Sequence, residues 1–314
     1  MTLLHLLTYL SFLTFIVMVI AKIIRISSTP IHLRWELYPV PHEKGRAHYG
    51  GSRLEEVDWW EKKSEKDHLG ELKVMIPEII LLKGVWDHNK ELWIGSFPFH
   101  FALYLFSANI FLFIIAAVFT LSGSPVTSDS IGIQAILFWL IFLITWLGAV
   151  IGVIGSGRLF FHRLTDTGLR KYSNPSHYFN ILLIGAIFLT AFIWLLTDSN
   201  MIPKLTGYYS GIITFASIPE IPLVGSIHII TSLVFLLYLP FTHMTHFFMK
   251  YFTYHKVRWE DTPNMNNEKM QAEISKVLNQ PVTWAAPHIG ADGRKNWLAI
   301  VTDIPFIPKE KKDE

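Results

Sequence analysis

Of the chain's 314 residues, 51% are hydrophobic and 14% aromatic while 17% carry charge, a balance too apolar for an ordinary soluble domain and expected of several bilayer spans. A formal net charge of +2 is too small to draw a nucleic-acid partner. With no cysteine the chain makes no disulfide, holds no zinc through thiolate and ligates no iron–sulfur cluster, so any electrons it handles need a non-cysteine cofactor or a partner.

Five stretches are long and apolar enough to cross about 30 Å of hydrocarbon: 3–24, 96–121, 131–156, 177–197 and 223–249. The first lacks a basic stretch ahead of its apolar run and a small-residue cleavage site behind it, and reads as a retained signal-anchor helix. Lys22 and Arg25 close that span. Arg158, Arg163, Arg170 and Lys171 stand between spans three and four, and Lys250, Lys256 and Arg258 follow span five. The 122–130 connection has neither Lys nor Arg, and 198–222 has Lys204 alone. This bias predicts an all-α, integral membrane five-helix bundle with its N-terminus outside and a cytoplasmic C-terminal tail, spanning the cell membrane several times.

The chain divides accordingly. Residues 1–25 are the first transmembrane helix and 26–95 a cytoplasmic segment. Within that segment "HLGELKVMIPEIILLKGVW" predicts an interfacial helix, with Trp86 and Trp93 at headgroup level. Residues 96–250 form a four-helix membrane core, and 251–314 a polar tail suited to docking a soluble partner. There is no internal repeat and no phosphate-binding glycine loop.

Span five, "GSIHIITSLVFLLYLPFTHMTHFF", holds three histidines, each of which must find a partner in hydrocarbon. Read as one continuous helix, the 18 residues from His228 to His246 make about five turns, so both rings leave the same face roughly 27 Å apart. His243 is turned by about 60° from that face and reads as a headgroup-level hydrogen-bonding residue. His100, in "SFPFHFALYLFSANIFLF", lies at the depth of His246. Two histidines facing each other from different helices of a bundle are the usual way to hold a b-type haem, each giving a lone pair to one axial position of the iron. Phe97, Phe99, Phe101, Phe241, Phe247 and Phe248 are the candidate pocket. "HMTH" as a surface metal site has no third histidine or carboxylate nearby. His162 and His177, at the ends of the basic loop, read as solvated or partner-facing. His5 is the only other histidine at the depth of His228.

The order of five spans, the histidine early in span two and the 18-residue pair in span five resemble the gamma subunit of respiratory nitrate reductase, a di-haem b quinol oxidase family. "LRWELYPVPHEKGRAHYGGSRLEEVDWW", "SNPSHYFNILLIGAIFLT" and "TWAAPHIGADGRKNWLAI" resemble its relatives in sulfate reducers and methanogens. These are the membrane cytochrome of the Dsr sulfite-reduction-associated complex and the membrane subunit of heterodisulfide reductase. The resemblance covers nearly the whole chain. It implies an inner haem held by His100 and His246. The outer pair would be His228 and the residue ten positions beyond His100, which is Ile110 and cannot ligate iron. The outer haem then takes another partner such as His5, is five-coordinate, or is absent, in which case His228 exchanges a proton at a quinol site.

The resemblance further implies one or two b haems, menaquinol oxidation near the outer side and electron delivery to a cytoplasmic iron–sulfur subunit of the heterodisulfide reductase type. Other membrane and periplasmic subunits would complete the complex. The reverse flow, quinone reduction, fits equally. The competing classes are a haem-free proton-coupled transporter and a passive membrane anchor. Against the transporter, the spans carry no Asp or Glu in their interiors and show no inverted repeat.

Overall fold

The computed structural model of the chain describes residues 2–28, 43–45, 55–59, 61–63, 65–249 and 268–302. Lys250, Lys256, Arg258, most of the 33–60 motif and the charged end at 309–314 lie outside them. The chain separates into two compact units, one of 1–19 with 75–245 and one of 20–74 with 246–314.

The first unit is all-helical. Helix α1 (Leu3–Ser28) enters it from the N-terminus, and α2 (His68–Ile80) and α3 (Lys83–His88) precede the long α4 (Lys90–Leu121). Then come α5 (Ile133–Thr165), the short α6 (Thr167–Lys171), α7 (Pro175–Thr197), α8 (Met201–Thr214) and α9 (Leu223–Tyr238). Five helical stretches are long and apolar enough to cross a bilayer: α1, α4, α5, α7 and Leu223–Phe241, which is α9 with the turn that follows it. The chain is a multi-pass membrane protein. The starts follow local chemistry: the Asn89 side chain accepts from Leu92 N–H at 3.0 Å to begin α4, and Asn174 with His177 forms a capping box ahead of α7, with Pro175 in its first turn.

Helix α5 is the hub, packing on α4 along one side and on α7 along the other, while α9 packs on α7 and α8 on α4. Glycines on α5 permit the close approach. A Cβ on Gly155 would stand 2.5 Å from the Phe99 backbone nitrogen, and one on Gly152 would stand 2.4 Å from the Phe188 ring. In lipid no hydrophobic force draws helices together, so contact of this intimacy supplies the dispersion energy that holds them. The buried amide of Asn109 on α4 donates to Thr145 Oγ1 of α5 at 2.5 Å, a polar tie inside the same interface.

The 198–222 connection contains a helix that periodicity did not announce. At 14 residues α8 is too short to span, yet Met201, Ile202, Leu205 and Tyr208 are buried. It anchors α1. Thr8 and Tyr208 share a hydroxyl hydrogen bond of 2.6 Å, and the Tyr9 hydroxyl donates to the Ile212 carbonyl at 2.7 Å.

Span five departs from the expected continuous helix. Helix α9 ends at Tyr238, and two 3-10 turns follow, Leu239–Phe241 and His243–Thr245, with Thr242 extended between them. Pro240 has no N–H to donate and its ring obstructs the preceding turn. The five-turn phase that would put His228 and His246 on one face therefore does not carry across residues 239–245.

The second unit includes a small C-terminal module: α10 (Glu268–Leu278), a two-residue hairpin of β1 (Ala285–Ala286) with β2 (Ala291–Asp292), and α11 (Trp297–Thr302). Val282, Ala291 and Ile300 form its core.

Candidate functional site

His100 projects from the first third of α4. Its Nδ1 lies 2.7 Å from the Ser96 carbonyl one turn earlier. A carbonyl can only accept, so the proton sits on Nδ1 and the lone pair on Nε2. The neighbouring Phe99 is buried, its ring 5.5 Å from the imidazole and 6.1 Å from the Phe188 ring on α7.

His228 uses the same device across two helices. It is buried in α9, with Nδ1 3.2 Å from the Ile187 carbonyl of α7 and 3.1 Å from Thr190 Oγ1. The Thr190 hydroxyl gives its own proton to the Ala186 carbonyl at 2.7 Å, so again Nδ1 holds the proton and Nε2 the lone pair. The Trp194 ring lies 6.1 Å away, and its indole N–H donates to Asp198 at 3.1 Å, which Lys204 also meets at 2.8 Å. Burial raises the Asp198 pKa, but hydrogen bonds from Lys204, Trp194 and the Asn200 amide outweigh it and hold the carboxyl below its ordinary value.

The other expected residues have different surroundings. Both ring nitrogens of His5 are engaged: Nε2–H donates to the Ala216 carbonyl at 2.9 Å and Nδ1 accepts from the Thr2 hydroxyl at 2.8 Å. His5 thus clips α1 to the loop after α8. Ile110 is half-exposed on α4. His246 lies in the second unit and is exposed. His162, expected to be solvated or partner-facing, is buried beside Glu91, which also meets Arg158, because α5 continues nine residues past its expected end and carries His162 against α4. His177 caps α7 through its Nδ1 and meets His243 edge-on at 5.1 Å.

Among the pocket phenylalanines, Phe97 and Phe101 extend a ladder from Trp93 along α4, and Phe241 is exposed. The C-terminal end of α2 comes to this stretch too. Tyr104 O–H donates to the Ile79 carbonyl and Trp93 Nε1–H to that of Leu81, both at 2.7 Å. The helix expected along the membrane surface therefore ends against α4 one turn beyond His100. Sequence reasoning missed Asn180 of α7, which is buried with neither amide end hydrogen-bonded. Among the described residues, no three His, Asp or Glu side chains converge as an ion site.

A family profile described as nitrate reductase gamma subunit matches residues 86–260, more than half of the chain. The chain belongs to the nitrate reductase gamma subunit family. It is a membrane subunit of the cytochrome b type within a multi-subunit redox complex, in a family that binds haem b. No curated protein and no solved structure matches it. His100 and His228 each direct Nδ1–H to a backbone carbonyl, the contact that histidines holding a metal usually make with their second ring nitrogen.

Proposed function

We propose that the chain exchanges electrons with the menaquinone pool and passes them to a cytoplasmic iron–sulfur subunit of the heterodisulfide reductase type, in sulfate or sulfite respiration. The observation that carries this reading is the 2.7 Å contact of His100 Nδ1 with the Ser96 carbonyl within an apolar span, which assigns the ring proton to Nδ1. His100 and His246 are the proposed axial ligands of the inner haem. A bound b haem would supply a one-electron carrier buried in apolar surroundings. The Ser96 carbonyl holds the His100 ring in place and makes Nε2 the more basic nitrogen.

For His228 two roles stand, axial ligand of an outer haem or proton acceptor from a quinol hydroxyl. The absence of a donor at Ile110 and the engagement of both His5 nitrogens favour the second. Each quinol oxidised gives two electrons and two protons, and His228 Nε2 would take one of those protons. The lack of cysteine agrees with iron–sulfur clusters carried by another chain.

The test is to add a menaquinol analogue to the purified complex and follow the b-type α band. Reduction of the haem without any other donor supports the reading. A band that responds to dithionite but not to the quinol contradicts it.

A further inference from the structure

Asn180 stands about 12 Å before Phe188 along α7, toward the end of the helix that bears His177. Around the helix axis it is turned by about 80° from Phe188 and only about 20° from Ile187. Phe188 is the residue of α7 that meets α4, its ring 6.1 Å from Phe99 and 5.1 Å from Phe106. Ile187 is the one whose carbonyl meets His228 of α9. Gly185, facing Ser156 of α5, lies on the other flank. Asn180 thus occupies the face of α7 between α4 and α9, the two helices that carry His100 and His228. The adjacent Phe179 meets Tyr238 at 5.4 Å, where α9 stops.

Its chemistry is out of place. The residue is 5% exposed, and both Nδ2 and Oδ1 are buried without a hydrogen-bond partner. An unpaired amide in an apolar interior carries a desolvation cost, and leucine, of similar size, would carry none. An amide at this place is explained by a polar ligand group that reaches it. A b haem has two carboxylates on one edge of the macrocycle, the only charged groups it brings into the bundle. A haem held by His100 between α4 and α9 would present that edge to the face of α7 on which Asn180 lies.

We propose that Asn180 Nδ2–H donates a hydrogen bond to a carboxylate of the haem held by His100. The inference rests on His100 as a haem ligand. The amide has no role in the reaction itself. It positions the haem edge and, by drawing off carboxylate charge, raises the potential of the iron.

The experiment is a potentiometric titration and a redox infrared difference spectrum of the intact complex carrying Asn180→Leu or Asn180→Gln. The leucine variant should assemble at least as well, keep its haem count, lower the midpoint potential and shift the carboxylate bands. The glutamine variant should stay near the natural protein. Unchanged potential and carboxylate bands in Asn180→Leu would overturn the proposal and leave the amide to an ordered water. Should Asn180→Leu not assemble, Asn180→Ala, which also lacks a donor, gives the same readout. Absence of haem from the natural complex, by contrast, would strike the reading of His100 beneath it.

Discussion

His100 and His228 solve one problem in two ways. Each commits Nδ1–H to a backbone carbonyl, but the carbonyl for His100 belongs to its own helix, one turn back, whereas that for His228 belongs to α7. The first arrangement needs only that α4 be helical. The second exists only while α9 packs on α7, with Gly225 admitting the Trp194 ring, which would stand 2.6 Å from a Cβ there. The orientation of His100 is a local property, and that of His228 a tertiary one. Perturbing helix packing should separate them.

The largest effect is expected from Gly155→Leu. Its side chain would enter the Phe99 backbone, and overpacking of this kind costs about 1–3 kcal/mol even where some relaxation is available. Assembly of the complex should fall steeply, read as yield of intact complex after solubilisation, and normal yield would show that α4 and α5 separate at little cost.

His228→Leu comes next. Haem content should equal that of the natural protein while quinol-driven reduction slows roughly a hundredfold, the scale of a lost general base. Loss of one haem with that substitution would instead make His228 an axial ligand.

The Asp198 clamp predicts a pH effect at the Trp194 end. Because the folded pKa is depressed, its stabilisation is complete above the unfolded value and disappears as pH falls through the folded one. The melting temperature of the natural protein should hold down to about pH 4 and drop below it. Asp198→Asn should flatten that drop, and an identical profile in the variant would remove Asp198 as its cause.

The smallest effect belongs to Thr190→Val, which removes one neighbour of His228 Nδ1 and leaves the Ile187 carbonyl. A cost of about 0.6 kcal/mol is expected, as for intramembrane hydrogen bonds generally, measured as a small shift in melting temperature with quinol-driven reduction preserved. A large loss of reduction would show that the hydroxyl, rather than the carbonyl, holds the ring.

Much of the fold was legible because lipid simplifies the code. Long apolar runs interrupted by polar connections locate α1, α4, α5 and α7, and hydrophobic length alone finds them. Helix α8 was not, since a short helix with one buried face among an apolar loop resembles neither a span nor a connector. The break after Tyr238 was only half legible. Pro240 marks it, but whether a proline bends or ends a helix depends on the packing of the residues after it. His100 and its serine four residues earlier could be read directly. The Ile187 partner of His228 could not, because it is a backbone atom 41 residues away. Asn180 carried the clearest signal overlooked, an amide inside an otherwise apolar span.

The central claim is that His100 is an axial ligand of a b haem. The direct test is a reduced-minus-oxidised spectrum of the purified complex, with haem counted per chain by the pyridine haemochrome method, for the natural protein and His100→Leu. The account predicts a b-type α band in the natural protein and loss of one haem per chain in the variant. A colourless natural chain in an assembled complex, or a variant with full haem content, would contradict it.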